Sequence, residues 1–158
     1  MNLDKYTIKL QNALNQAFTI AGGLNHQAVE TGHLLKALME TDESLSSFIF
    51  GKFGANEKVI SEVIDRTLES YPKVSGGNQY LSNSATKALQ KAEIEAREMK
   101  DEYVTIEHLF LGILQAGDNI SQILKDNGIN QKDLKKVIEE LRKGTKADTQ
   151  GAEDRYNA

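Results

Sequence analysis

The sequence predicts an all-α fold: two tandem four-helix repeats with pseudo-twofold symmetry, about eight helices in all. Three observations predict it. Apolar residues recur at three- and four-residue steps along most of the chain, which is the period of a helix with one buried face. The stretch Val104-Thr105-Ile106-Glu107-His108-Leu109-Phe110-Leu111 is echoed by Val29-Glu30-Thr31-Gly32-His33-Leu34-Leu35, with the two histidines 75 positions apart. The same offset relates Ala13-Leu14 to Ala88-Leu89, Ala17 to Ala92, Ala21 to Ala96 and Val29 to Val104. A fixed offset held over several turns marks a duplicated unit.

The first helix is expected from Lys5 to Ala21, with Tyr6, Leu10, Ala13, Leu14, Ala17 and Ala21 on one face. Its alanines let a neighbouring helix approach closely. Gly22-Gly23 is expected to stop it. The second helix starts near Thr31, the third after Asp42, and Gly54 ends the third. The fourth runs from Asn56, a suitable N-cap, to Ser70. Tyr71 to Leu81 holds the sole proline and a Gly pair, and reads as the linker between repeats. The fifth helix starts at Ser82, which matches Thr7; both read as N-caps. The sixth follows Thr105, the seventh covers Ile120 to Asp126, and the eighth runs from Gln131 to Lys143. Here the offset drops to 74: Gly54 matches Gly128, Asn56 matches Asn130, Lys58 matches Lys132 and Val63-Ile64 match Val137-Ile138. The expected domain is 1–143, with repeats 1–70 and 82–143 joined by linker 71–81. Residues 144–158 are polar and read as a flexible linker toward a further domain of a longer protein. No stretch reads as a convincing strand.

Composition narrows the function. The chain has 158 residues, 39% of them hydrophobic and 27% charged, in the range of a globular domain. A net charge of −4 argues against a nucleic-acid partner, which would favour a basic face. With no cysteine, disulfides, thiolate zinc sites and Cys nucleophiles are excluded. No apolar run reaches the ~20 residues of a membrane span, so no membrane role is expected and a cytoplasmic location is.

Chemical motifs are sparse. Gly51-Lys52 is followed by Phe53 and lacks the preceding glycine of a phosphate-binding loop. His33 and His108 lack further ligands at helical spacing, so each is expected to pack or hydrogen-bond locally in a first helical turn. Asp101, Glu102 and Glu107 lie close together without any sign of the separated pKa values that acid–base catalysis needs. No catalytic residue, metal site or cofactor is expected, and the chain is not expected to be an enzyme.

Two tandem four-helix units with His-Leu-Leu and Glu-His-Leu-Phe segments resemble the Clp amino-terminal domain, the repeat module that precedes the ATPase rings of Clp-type unfoldases. The resemblance covers nearly the whole chain. The opening Leu3-Asp4-Lys5-Tyr6-Thr7-Ile8-Lys9-Leu10-Gln11-Asn12-Ala13-Leu14 and the closing Gln150-Gly151-Ala152-Glu153-Asp154-Arg155-Tyr156-Asn157-Ala158 are similar to those of the ClpB-type disaggregases. The resemblance implies a module that binds unfolded or aggregated protein and helps deliver it to the pore of a homohexameric ring, working with a co-chaperone of the DnaK type. ATP and Mg would belong to other domains. It implies that Thr7, Asp101 and Glu107 engage substrate, with Leu3, Tyr103 and Leu109 as further contacts. His108, following Glu107, departs from the apolar residue frequent there in the family. Docking of a folded adaptor, as in the protease-linked relatives ClpA and ClpC, is the competing reading. A single apolar groove would hold a client weakly: ~200 Å² at about 25 cal/mol/Å² gives ~5 kcal/mol before association costs.

Overall fold

Each repeat opens on a hydroxyl residue that caps a long helix. Thr7 Oγ1 accepts from Leu10 N at 3.2 Å at the start of α1 (Ile8–Gly23). Ser82 Oγ accepts from Ala85 N at 3.0 Å at the start of α5 (Asn83–Glu98). The computed structural model describes residues 3–156 and is helical throughout most of that span. A single 3₁₀ turn, Leu3–Lys5, precedes α1. The first repeat continues with α2 (Thr31–Thr41), α3 (Glu43–Lys52) and α4 (Glu57–Glu69). The second continues with α6 (Ile106–Leu114), α7 (Asn119–Asp126) and α8 (Gln131–Arg142). The predicted eight helices are all present, and a short α9 (Glu153–Tyr156) follows them.

The 75-residue offset holds at the level of backbone angles. Asn25 and Lys100 are equivalent, and both take positive φ, 61° and 59°. Each turns the chain back so that the next amide reaches the preceding helix: His26 N donates to Ala21 O at 2.8 Å and Asp101 N to Ala96 O at 2.9 Å. The reversal after α1 is therefore made by Asn25, not by Gly22-Gly23, which lie inside or at the end of the helix. Asparagine tolerates the left-handed region because its short polar side chain bonds locally.

Two short parallel pairings, which periodicity did not reveal, tie the repeats together. β1 (Ala28–Val29) pairs with β2 (Tyr80–Leu81), so part of the expected linker is strand. Tyr6 bridges Val104 in the same sense. The two pairings are related by the pseudo-twofold, since Tyr6 matches Leu81 and Val29 matches Val104. The segment leading into the first helix of each repeat thus pairs with the segment leading into the second helix of the other. Strands of two residues are too short to show an alternation, which is why they are silent in the sequence.

The core runs through both repeats. Phe50 of α3 meets Phe110 of α6 with ring centroids 5.7 Å apart. Thr31 Oγ1 donates to Asp118 Oδ2 at 2.5 Å, joining the start of α2 to the cap of α7. Helices α5 and α6 pack most closely at Gly112, where an added Cβ would lie 2.0 Å from the Ala88 carbonyl oxygen. The equivalent residue in α2 is Ala37, so the first repeat spaces its helices more widely.

The flexible linker expected at 144–158 is not what its described part forms. Ala147 and Ala152 are fully buried. The Ala147 carbonyl accepts from Glu102 N and Tyr103 N, both at 3.0 Å, and Gln150 O accepts from Ile8 N at 2.9 Å. The segment lies across the Tyr6–Val104 bridge and satisfies backbone donors that would otherwise need water. Residues 157 and 158 of that expected linker lie outside the described residues.

Candidate functional site

Thr7, Asp101 and Glu107 come from three separate stretches and converge on one buried polar network. Its centre is Arg142, the last residue of α8, which is 4% exposed. Arg142 Nη1 donates to Asp101 Oδ2 at 2.5 Å and Nε to Glu107 Oε1 at 3.3 Å. Its Nη2 donates to Thr105 Oγ1 at 3.2 Å. Asp101 also receives His108 Nε2 at 2.9 Å and the Ala147 amide at 2.9 Å. On the other side, Thr7 Oγ1 donates to Glu153 Oε2 at 2.5 Å, and Ile106 N donates to the same oxygen at 3.2 Å. Glu153 belongs to the docked C-terminal segment, so Thr7 links the start of the domain to its end.

The hydrogen bonds fix the histidine tautomer. His108 Nδ1 accepts from Thr105 N at 2.8 Å, so its proton sits on Nε2 and points at Asp101. The histidine thus caps α6 from its third position, the local role expected for it.

Charge is concentrated here in the protein interior. Burial alone would raise the Asp101 carboxyl, but His108, the Ala147 amide and Arg142 overcome it and hold the pKa at about 2. Glu153 goes the other way: burial and the neighbouring Glu107 charge push it up to about 7, against the lowering effect of Thr7 and the backbone donors. One Glu107 oxygen, Oε2, is buried and has no hydrogen-bond partner among the described residues.

The first repeat carries an uncharged version of the same network. His33 Nδ1 accepts from Glu30 N at 2.9 Å, and His33 Nε2 lies 2.8 Å from His26 Nδ1. Tyr71 packs on both rings, with centroids 5.6 Å from His26 and 5.3 Å from His33. Tyr71 is thus part of the core polar cluster rather than of a bare linker. Gly32 stands where the second repeat has Glu107, and Leu68 stands where it has Arg142. A Cβ on Gly32 would meet the Tyr71 hydroxyl at 2.7 Å and Leu68 Cδ2 at 3.0 Å.

The six residues named for substrate contact therefore divide into two groups. Thr7, Glu107 and Leu109 are wholly buried, and Asp101 is 8% exposed with its carboxylate fully enclosed. In this conformation their side chains meet protein, not solvent, so direct contact with a client is open only to Leu3 and Tyr103. Leu3 is 43% exposed, and Tyr103 is half-buried beneath Lys5, whose Nζ is 5.9 Å from the ring centroid. Ile8, 54% exposed, adds a third apolar side chain beside the Tyr6–Val104 bridge. Periodicity passed over Ile8 because it lies off the buried stripe of α1. Arg142 did leave a trace: it falls four residues after Ile138 on the apolar stripe of α8, where a charge needs a buried partner. Glu153 left none.

Residues 5–127 match the family model described as the Clp repeat (R) N-terminal domain. Over 158 residues the chain is 46% identical to the chaperone protein ClpB of Porphyromonas gingivalis, covering 100% of this chain and 18% of that protein. The chain thus spans less than a fifth of the length of the curated relatives it matches. The fold is similar to the Hsp104 N-terminal domain of Candida albicans, with a TM-score of 0.81 and 22% identity over 94% of this chain and 98% of that one. It is also similar to a ClpV N-domain solved in complex with a VipB peptide, with a TM-score of 0.69 and 19% identity over 87% of this chain and 86% of that one.

Proposed function

Because this chain belongs to the Clp repeat N-terminal domain family, we propose that it is the polypeptide-binding N-terminal module of a ClpB-type disaggregase. It engages unfolded or aggregated protein and assists delivery to an ATPase ring. Hydrolysis of ATP with Mg falls to regions of the whole protein beyond this chain. The working assembly is a homohexamer served by a DnaK-type co-chaperone, in which several weakly binding modules act on one aggregate through effective concentration.

The observation that carries the proposal is the placement of Leu3, Ile8 and Tyr103. They lie around a backbone bridge whose underside is held by Thr7, Glu153 and the Arg142 network. Apolar side chains on a rigid base offer weak, sequence-tolerant contact to exposed apolar segments of a client. Thr7, Asp101 and Glu107 then act on binding by positioning that surface. A second, competing reading is docking of a small folded adaptor, as in the protease-linked relatives ClpA and ClpC.

An NMR titration with a permanently unfolded client tests the proposal. Shifts are expected at Leu3, Ile8 and Tyr103. A titration that leaves every amide unmoved rules the proposal out, and capture of a folded adaptor with indifference to unfolded clients selects the second reading.

A further inference from the structure

The pseudo-twofold relates a basic cleft in the second repeat to an acidic surface in the first. In the second repeat a cleft of about 400 Å³ lies between α5, α7 and the start of α8, lined by Lys87, Lys91, Gln115, Lys125 and Gln131. Lys87 and Lys91 are one turn apart on α5, and Lys125 comes from the end of α7. None of the three has a carboxylate within ion-pair distance among the described residues. The nearest buried acid, Glu95, is occupied by Lys135 at 3.2 Å and by the Gln115 amide at 3.2 Å.

The first repeat changes all five of these positions, and each change removes a positive charge or adds a negative one. Asn12, Gln16 and Gly51 replace Lys87, Lys91 and Lys125, while Glu40 and Glu57 replace Gln115 and Gln131; Glu57 lines a neighbouring cleft that shares Glu40 and Glu43. Glu43 adds a further carboxylate to the cleft that holds Asn12 and Gln16. All five lining positions thus shift in the same direction between the repeats, on a protein whose net charge is −4.

We propose that the Lys87–Lys91–Lys125 cleft binds acidic segments of polypeptide. The three ammonium groups meet Asp and Glu side chains, while Gln115 and Gln131, whose amides donate to Glu95 at 3.2 and 3.5 Å, turn their side-chain carbonyls to the peptide N–H groups. A concave cleft suits an extended chain; it does not suit the equally concave acidic cleft of a second copy. No aromatic side chain lines it, so it lacks the stacking surface that a single-stranded nucleic acid uses. The inference rests on the polypeptide-binding reading and adds to it a charge preference at a second surface, away from Leu3 and Tyr103.

The test is fluorescence anisotropy on the 158-residue chain with a labelled peptide rich in Asp and Glu. Binding is expected to weaken roughly tenfold between 50 and 300 mM salt, because exposed charges are screened. Lys87→Gln/Lys91→Gln/Lys125→Gln is expected to weaken it at least tenfold while leaving NMR shifts by an apolar client at Leu3 and Ile8 unchanged. Lys87→Glu/Lys91→Glu/Lys125→Glu is expected to turn the preference toward a Lys-rich peptide while the variant keeps the melting temperature of the parent and the apolar-client shifts at Leu3 and Ile8, which a misfolded variant would lose. The proposal is overturned if the acidic peptide binds the triple Gln variant as well as it binds the parent. Tighter binding of an oligonucleotide or polyphosphate than of the peptide, or salt-sensitive self-association lost in the same variants, also overturns it. Loss of the apolar client alone would remove the Leu3–Tyr103 reading and leave this cleft standing.

Discussion

Asp101 and His26 occupy the same place in their respective repeats, each presented at 2.8–2.9 Å to Nε2 of a helix-capping histidine. The duplicated backbone kept the cap and changed what it leans on. In the first repeat the partner is a neutral imidazole, with Gly32 and Leu68 beside it. In the second it is a carboxylate, with Glu107 and Arg142 beside it. The three charges therefore form one unit, since none has a partner in the uncharged version.

Removing one member of that unit is expected to be costly. Arg142→Ala leaves Asp101 and Glu107 buried without their cation and should destabilise the domain by about 3–5 kcal/mol. Copying the first repeat, with Asp101→His, Glu107→Gly and Arg142→Leu together, should recover at least half of that loss. Urea melts of the two variants check it. A triple variant no more stable than Arg142→Ala would mean that the repeats do not share interchangeable networks.

Glu153 gives the docked C-terminal segment a pH dependence of definite sign. Its carboxyl is raised from 4.5 to about 7, so the folded state holds the proton more tightly than the unfolded chain. Its contribution is complete below about pH 4.5 and is lost as pH rises through 7, by up to about 3 kcal/mol. His33, lowered to about 4, slopes the other way between pH 4 and 6.5, so the parent protein alone would show a blunted effect. The difference between the parent and Glu153→Gln isolates the glutamate. Hydrogen exchange at the Ile8 and Ile106 amides should be faster in the parent than in Glu153→Gln at pH 8, and similar at pH 5.

Much of this architecture was legible in the sequence. Helical period, hydroxyl caps and the 75/74 offset located eight helices and their pairing, because each rests on local chemistry repeated along the chain. The resemblance to the Clp repeat pointed to Thr7, Asp101 and Glu107, and the structure brings all three together. Their burial was not legible, because it depends on Arg142 and Glu153 arriving from distant parts of the chain. A buried ion network has no sequence period. The docking of 144–154 was hidden for a related reason: Ala147 and Ala152 bury too little apolar surface to stand out among polar neighbours.

Gly112 sets the spacing of α5 and α6. A methyl group there would sit 2.0 Å from the Ala88 carbonyl oxygen, which is backbone and cannot rotate away. Gly112→Ala is therefore expected to cost about 3 kcal/mol or more, beyond the usual range for overpacking, despite the better helix propensity of alanine. The reciprocal change, Ala37→Gly in α2, only empties space and should cost about 1 kcal/mol. Thermal melts of both variants separate the two repeats; equal losses would contradict the tighter packing of the second.

Thr7→Ala and Leu3→Ser are expected to weaken client binding by different routes. Thr7→Ala removes a helix cap worth about 1 kcal/mol, and it also removes the donor that holds Glu153. Its binding loss should come with a lower melting temperature and faster exchange in residues 147–153. Thr7→Ser keeps the hydroxyl and should restore both. Leu3→Ser lies on the surface at 43% exposure, so it should reduce binding with the melting temperature unchanged. Adding Ile8→Ser should deepen the loss without adding instability. If Thr7→Ala instead binds client less well with unaltered stability and exchange, the hydroxyl itself must reach the client. The domain would then open at the Thr7–Glu153 contact when it binds.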